Sequence, residues 1–190
     1  MKNINIAVLL ILTFGFSFTS CKKDPFDEKR NAKMNIHPSA QTTGTKGLFS
    51  MQKGISNNDI SNVEKDSDWE KIIDITLKSS QFRLESENLK QDYVINLEMS
   101  CTNVSPGYSK TITVQSLDNS KSGFDFGMSQ DTEYASFMEQ VCNELKSGKT
   151  LDFKIQGIVT DQQESPVANA DIKIMIDNKL EIKVRGFGMD

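Results

Sequence analysis

The chain has a single histidine, His37, among its 190 residues, and this scarcity limits the chemistry that it can perform. Sites of the Ser-His-Asp and Cys-His kinds need an imidazole beside the nucleophile, and we expect His37 to lie in a linker. The sequence also lacks CxxC and HExxH pairs, a calcium-loop pattern, a GxGxxG motif and a P-loop. We therefore predict no metal site, no catalytic residues and no enzymatic activity. A two-carboxylate glycosidase stays open because the chain has 26 acidic residues.

Basic runs are absent as well. The 22 Lys and Arg residues are outnumbered by the 26 Asp and Glu residues, which gives a formal net charge of −4. Proteins that bind nucleic acids neutralise phosphates with clustered basic side chains. We expect no nucleic-acid partner.

Apolar residues are concentrated near the amino terminus. Lys2 precedes an almost unbroken apolar run over residues 4–18, and no charge occurs between Lys2 and Lys22. A positive start, a short apolar region and small residues before a cut site describe a secretory signal. Residues 19–21, Thr-Ser-Cys, provide such a site.

This segment resembles the lipobox signal peptides of bacterial lipoproteins, in which the cysteine sulfur receives a diacylglyceryl group before cleavage. That pattern usually has Leu three residues before the cysteine, where this chain has Phe18. The resemblance implies a covalent lipid on Cys21, with no other cofactor, and a mature protein anchored to a membrane without spanning it. The alternatives are a transmembrane helix, for which the charge-free stretch is about long enough, and a secretory signal cut without lipidation.

The residues after Cys21 bear on location. Lys22, and not Asp, follows the cysteine, which among lipoproteins argues against retention in the inner membrane. The charged stretch 22–28 resembles the surface-export signals of some Gram-negative phyla, and the alternative is a solvated tether. We predict an outer-membrane lipoprotein and leave open whether it faces the periplasm or the cell surface.

Composition predicts three segments. Residues 1–20 form the signal peptide, residues 21–68 form the lipidated cysteine and a flexible polar tether, and residues 69–190 form a single β-rich domain. The tether is rich in polar residues and buries too little apolar surface to offset the entropy of ordering. Four apolar residues are exceptions that could form a short strand or a flap: Leu48, Phe49, Met51 and Ile55.

Period-two alternation predicts antiparallel strands in the domain. The clearest runs from Tyr93 to Cys101, and others cover residues 73–77, 82–84, 111–114, 151–159, 170–176 and 180–184. Ser79-Ser80 is interpreted as a break, Asp177-Asn178-Lys179 as a hairpin turn, and the order as a meander.

An amphipathic helix is predicted over about residues 131–147. Its apolar stripe follows helical spacing, Asp131 can cap the first turn and Gly148 can end the helix. We expect the stripe to pack on the β-strand face that carries Tyr93, Ile95, Leu97 and Met99. The fold class is therefore α+β, a mostly antiparallel, sandwich-like β-sheet domain with one helix. The stripe consists of Tyr134, Phe137, Met138, Val141 and Leu145.

Residues 157–172 carry a local resemblance. The pattern from Gly157 to Asp161, followed by that from Pro166 to Ile172, resembles the opening of carboxypeptidase regulatory-like β-sandwich modules. It covers two strands and a turn, and it implies scaffold chemistry without any functional residue.

Two further groups of residues are candidates for a site. Cys101 and Cys142 are an even pair in an oxidising compartment and form either a disulfide or two buried free thiols. Trp69, Tyr93, Tyr108 and Tyr134 either line a pocket for an apolar or sugar ligand or pack in the core.

Anchor, tether and a domain without catalytic motifs favour a non-enzymatic interaction or scaffold lipoprotein of the cell envelope. Its partners are the membrane, through the lipid, and an envelope protein or glycan. The alternative is a surface-exposed ligand- or glycan-binding lipoprotein, and a hydrolase of envelope polymers ranks below both.

Overall fold

The computed structural model describes residues 25–61, 69–117 and 121–187 of the chain. The predicted signal peptide and Cys21 lie outside these ranges. Two short 3-10 helices, Gly44–Lys46 and Asn57–Asp59, lie between strands. The described strands are β1 (Pro25–Ile36), β2 (Ser39–Gln41), β3 (Leu48–Ile55), β4 (Ile60–Ser61), β5 (Trp69–Ser86), β6 (Val94–Cys101), β7 (Tyr108–Thr113), β8 (Gln115–Ser116), β9 (Ser122–Gly127), β10 (Leu151–Thr160) and β11 (Asp171–Phe187), and the helix is α1 (Thr132–Leu145).

The strands form two antiparallel sheets. The larger has the order β4-β1-β11-β5-β9-β8, with β2 beside β11, and the smaller has the order β3-β10-β6-β7. The eight principal strands thus form the two four-stranded sets β1-β11-β5-β9 and β3-β10-β6-β7, which is the strand order of a jelly roll. The prediction of mostly antiparallel, sandwich-like structure is confirmed, whereas α+β is a loose description of a β-sandwich with one helix.

The meander prediction is wrong. β5 and β6 follow each other in the chain and would be neighbours in a meander, but they lie in different sheets. Only the closest neighbours in sequence, such as β6 and β7, pair as a hairpin would. Local alternation identifies strands but carries no information about which strand lies beside which, because pairing partners are chosen by the packing of both sheets.

The predicted flexible tether differs most from the structure. β1 pairs with β11 along its whole length, from Pro25 opposite Phe187 to Ile36 opposite Ile176. Ala32, Met34 and Ile36 are buried at alternate positions, while the residues between them are exposed and polar. Every second residue of a strand with one solvent-exposed face is polar, so its overall composition resembles that of a linker. For this reason the composition of β1 indicated disorder. The suggested strand at residues 48–55 is confirmed as β3.

Two predicted interruptions are also wrong, because β5 and β11 run without a break through both polar positions. Asn178 lies opposite Ser80, but Leu180 lies opposite Leu77, so β5 has one extra residue at this point. Such a bulge changes which residues of a strand face the core. The serines of β5 therefore mark a bulge between two paired strands, not a turn.

Helix α1 agrees with its prediction. The Asp131 side chain accepts a hydrogen bond of 2.9 Å from the Tyr134 amide, and Gly148 has a left-handed φ of +71° after the last turn. The whole predicted stripe is buried. Its ring contacts lie on strands other than the expected β6: Tyr134 meets Phe82 of β5, and Phe137 meets Phe153 of β10. The helix therefore contacts both sheets.

Candidate functional site

Two of the four predicted aromatic residues meet inside the domain. The rings of Tyr108 and Tyr134 contact edge to face with centroids 5.5 Å apart, and both residues are buried. Phe82, Phe126 and Phe137 surround them. The cluster joins the helix to both sheets, so Tyr108 and Tyr134 belong to the core that holds the fold together.

The other two predicted aromatic residues lie elsewhere. Tyr93 is half-buried just before β6 and packs against the core. Trp69 begins β5, where its backbone pairs with Gly186, and its side chain lies outside the described part of the chain. The four residues therefore do not form one site.

Cys101 and Cys142 are both buried and are free thiols in the structure. Burial raises the pKa of Cys101 to about 11 and that of Cys142 to about 12. Because the thiolate is the reactive form, both side chains behave as small apolar groups and not as nucleophiles.

Asp131 connects the helix to the smaller sheet. Besides capping Tyr134, its carboxylate accepts hydrogen bonds from the Lys110 ammonium and, at 2.8 Å, from the Tyr108 hydroxyl. Burial alone would raise the pKa of Asp131, but these hydrogen bonds, led by that of Lys110, hold the pKa below its usual value. The Lys110 ammonium also lies 4.6 Å from the centre of the Phe126 ring. This charged centre is fully engaged in holding the helix.

A groove of about 470 Å³ opens at the end of the larger sheet where β5 ends and β11 begins. Its polar lining has charges of both signs together with hydroxyl and amide groups. We call it the distal groove, and the side chains that define it are Gln41, Glu85, Ser86, Lys121, Asp171 and Lys173.

Glu85 is the most buried charge of the distal groove, with 8% of its surface exposed. Its carboxylate lies 2.9 Å from the Lys121 ammonium and 2.8 Å from Nε of Arg83. The hydrogen bond from Lys121 outweighs the effect of burial and lowers the pKa of Glu85. The ionised carboxylate of Glu85 is thus favoured, and in this form it accepts hydrogen bonds.

Hydrogen bonds between residues far apart in sequence hold the rim of the distal groove in place. Gln41 donates to the Asp171 carboxylate at 2.6 Å, and the Asn88 side chain accepts from the Asp171 amide at 2.9 Å. Asn88 also donates to the carbonyl of Asn169 at 2.8 Å. The groove is thus a preformed polar depression suited to a ligand rich in hydrogen-bonding groups.

The outer face of the smaller sheet is a second candidate surface. Leu48 and Ile158 lie opposite each other there and are 41% and 39% exposed. Beside them Gln156 donates to Glu98 at 2.8 Å, which extends the face as a row of polar pairs. Two exposed apolar residues are ordinary on a protein surface, so this face carries less weight than the distal groove.

Sequence reasoning missed the distal groove. The Glu85 and Lys121 side chains that meet there are 36 positions apart in the chain, and Gln41 and Asp171 are 130 apart. Residues so far apart in the chain follow no recognisable spacing, and a mixture of acidic and basic residues is not a known sequence motif. The only useful signal was the run of polar residues at 85–91.

His37, expected in a linker, directly follows β1, and its Nε2 lies 2.7 Å from a carboxylate oxygen of Asp177 on the surface. Across residues 25–61, 69–117 and 121–187, no group of three or more His, Cys, Asp or Glu side chains is placed to hold a metal ion. None of the helices in the described residues is long and apolar enough to cross a membrane.

The strand order defines the class of this protein as a jelly-roll β-sandwich, which has one α-helix within the described residues. The solved structures that match this chain include three from viruses. A solved structure of desmodium yellow mottle tymovirus has 8% sequence identity to this chain and a TM-score of 0.35, and the match covers 86% of this chain and 91% of that chain. Turnip yellow mosaic virus is 11% identical with a TM-score of 0.37, covering 88% and 84%. A decameric BFDV capsid protein is 10% identical with a TM-score of 0.37, covering 85% and 99%.

Similarity at this level carries no argument about function, and one fold supports many functions. No protein-family model matches the chain, and no curated protein sequence matches it.

Proposed function

We propose that this chain is a non-enzymatic interaction lipoprotein of the bacterial outer membrane, held there by a diacylglyceryl group on Cys21. The lipobox-like ending at Cys21 provides the anchor, and the jelly roll provides the module that meets a partner in the envelope. Whether the module faces the periplasm or the cell surface is left to experiment.

The observation that carries the proposal is the position of the fold relative to the anchor. β1 begins at Pro25, four residues after the cysteine. A lipobox-like segment that continues directly into a folded strand is arranged as an anchor for that domain. A membrane-spanning helix in place of the signal would serve the same end, so lipidation needs its own test.

The use of the buried charges supports a non-enzymatic role. Asp131 caps a helix and binds Lys110, and Glu85 is tied to two cations. General acid catalysis needs a carboxyl group with a raised pKa, whereas both of these carboxyl groups have lowered values. We assign these charges to structure and recognition.

The second candidate function is binding of a glycan or another polar ligand. The distal groove favours it, because hydroxyl, amide and carboxylate groups line a preformed depression. Without a described aromatic side chain among its lining residues, such a site would bind through hydrogen bonds and not through ring stacking. A hydrolase of envelope polymers has no equivalent support and ranks third.

The first experiment tests the anchor. The wild-type chain and Cys21→Ser are expressed in a Gram-negative host, and mature protein is analysed by mass spectrometry and membrane fractionation. We expect the wild type to carry a diacylglyceryl mass on Cys21 and to separate with outer membranes, whereas Cys21→Ser should lack the lipid. An unmodified wild-type cysteine would contradict the proposal.

The second experiment tests the module. Surface proteolysis of intact and lysed cells assigns the membrane face, and crosslinking with recovery of the lipoprotein identifies the partner. Digestion on intact cells would favour the surface ligand-binding alternative. Protection until lysis would direct the search to periplasmic envelope proteins, and recovery without any specific partner would contradict the interaction role.

A further inference from the structure

The chain between the anchor and the fold is too short to act as a long tether. Three residues separate Cys21 from Pro25, and an extended chain advances at most about 3.6 Å per residue, so the two Cα atoms lie within about 14 Å. With a lipid on Cys21, the beginning of β1 must lie at the membrane surface.

Strand register shows which other residues share that position. Pro25 pairs with Phe187, and Gly186 pairs with Trp69, so β1 begins where β11 ends and β5 begins. We call this the anchor end. Its residues with described side chains are 27–30, 71–74 and 183–185.

The distal groove lies at the opposite end of the same sheet. β11 extends without interruption from Asp171 at the groove to Phe187 at the anchor end. Sixteen steps of about 3.3 Å give a separation on the order of 50 Å before twist and curvature are counted. The paired strands therefore provide the reach that a disordered tether was expected to provide.

The anchor end has a surplus of positive charge. In these ranges five residues are basic (Lys29, Arg30, Lys71, Lys183 and Arg185) and three are acidic (Asp27, Glu28 and Asp74), and Glu70, between Trp69 and Lys71 in the sequence, adds a fourth acidic residue at this end. The whole chain has the opposite sign, with a formal charge of −4.

Several of these cations are accessible to a membrane. The side chains of Lys29 and Arg185 are 70% and 49% exposed, although Lys29 is paired with Glu181 at 3.0 Å, and Lys71 is exposed as well. Asp27 is bonded to both Lys183 and Arg185, at 2.8 and 3.0 Å, and Lys183 also lies opposite Asp74, with which it interacts electrostatically. Basic residues at a membrane surface are attracted by anionic headgroups.

We propose that the anchor end is a membrane-contact surface that rests on anionic lipid headgroups, so that the larger sheet stands away from the bilayer and presents the distal groove at its tip. The inference depends on the lipid at Cys21 that the proposed function includes. It adds an orientation, a lipid partner for one end of the sheet, and a rigid support for the groove.

The test compares two probe positions on the full-length lipoprotein, purified and reconstituted in vesicles with anionic headgroups. Lys71→Cys places a fluorophore at the anchor end, and Glu87→Cys places it beside the distal groove. Cys101 and Cys142 are buried and poorly reactive, and a lipidated Cys21 has no free thiol, so labelling is confined to the new cysteine. A quencher attached to lipid headgroups reports proximity to the bilayer.

We expect at least threefold stronger quenching at position 71 than at position 87. Lys183→Glu combined with Arg185→Glu should reduce this ratio to below about 1.5, whereas the matched pair Lys90→Glu and Lys154→Glu, exposed elsewhere on the domain, should leave it unchanged. Circular dichroism checks that each variant is folded. The comparison of quenching at positions 71 and 87 is also made without the charge-reversing substitutions, so it does not depend on how those variants fold.

The outcomes separate the two proposals. Protein that floats with the vesicles but shows equal quenching at both positions, or stronger quenching at position 87, would overturn the orientation and leave the anchor in place. Protein that carries no lipid and fails to float would overturn both.

Discussion

The hydroxyl oxygens of Tyr134 and Ser80 lie 2.6 Å apart inside the domain, where helix α1 meets strand β5. Both residues are almost fully buried, with 0% and 2% of their surfaces exposed. Burial raises the pKa of Tyr134, so the phenol stays protonated and the pair remains a neutral hydrogen bond. Ser80 faces inward in phase with Phe82 and Leu84, next to the bulge after which the inward positions change to Leu77 and Ile75.

Loss of either hydroxyl should therefore destabilise the fold. Tyr134→Phe and Ser80→Ala should each lower the free energy of unfolding by about 1–3 kcal/mol, because each leaves a buried polar group without its partner. The double variant should lose less than the sum of the single losses. Denaturant unfolding measures all three, with Tyr93→Phe as the control on a half-buried tyrosine; additive losses would show that the hydroxyls do not interact.

Asp131 predicts a pH dependence. Asp131→Asn keeps a capping side chain but removes the charge that binds Lys110, and it should cost about 1–3 kcal/mol at pH 7. A carboxyl group whose pKa is lowered on folding contributes stability above its unfolded pKa of about 3.9 and loses that contribution as the pH falls through the folded value.

The stability difference between wild type and Asp131→Asn should thus be constant near neutrality and shrink below about pH 4. Chemical denaturation between pH 3 and pH 7 measures it, and Asp125→Asn on an exposed position of β9 is the matched control. A difference that did not depend on pH would mean that the charge of Asp131 contributes nothing to folding.

Gly157 predicts a steric effect in the smaller sheet. A Cβ atom at this position would lie 2.6 Å from the carbonyl oxygen of Asn96 and 2.7 Å from Cζ of Phe49. Gly157→Ala should cost about 1–3 kcal/mol, since the neighbouring strand and the ring must move. Gly54→Ala on the adjacent strand β3 is the control, because its nearest contact is a Thr150 methyl group at 3.3 Å. Equal melting temperatures for the two variants would argue against the close packing of β3 on β10.

The two internal cysteines predict a labelling pattern. Protein purified without reductant should resist iodoacetamide at pH 8 while folded and should gain two labels at Cys101 and Cys142 once unfolded, because burial and a raised pKa protect free thiols. Peptide mass mapping gives the count. If unfolded protein takes up no label at these positions until it is reduced, the pair is a disulfide.

The sequence predictions were accurate where the interacting residues are close together in the chain and inaccurate where they are far apart. Helix α1 was predicted almost to its ends, because Asp131, the apolar stripe and Gly148 lie within 18 consecutive residues and follow one period. β6 was predicted for the same reason. In contrast, β1 was interpreted as a tether, since its buried residues Ala32, Met34 and Ile36 are separated by polar ones and its partner β11 is about 150 residues away.

The candidate site followed the same division. Tyr108 and Tyr134 were expected either in a ligand pocket or in the core, and they meet in the core, because burial is decided by the sheets that close over them. The distal groove could not be predicted from spacing, since it forms from the ends of four strands that only the folded chain brings together.

The sequence by itself determined the helix, most strands and the segment that resembles a lipid anchor, because each rests on residues that are close together in the chain. Only the tertiary structure decided the jelly-roll order, the bulge at Ser80, the buried position of the tyrosines and the distance between the anchor end and the distal groove. Those features depend on contacts between residues far apart in sequence, whose free energy is gained only when both sheets pack on one core.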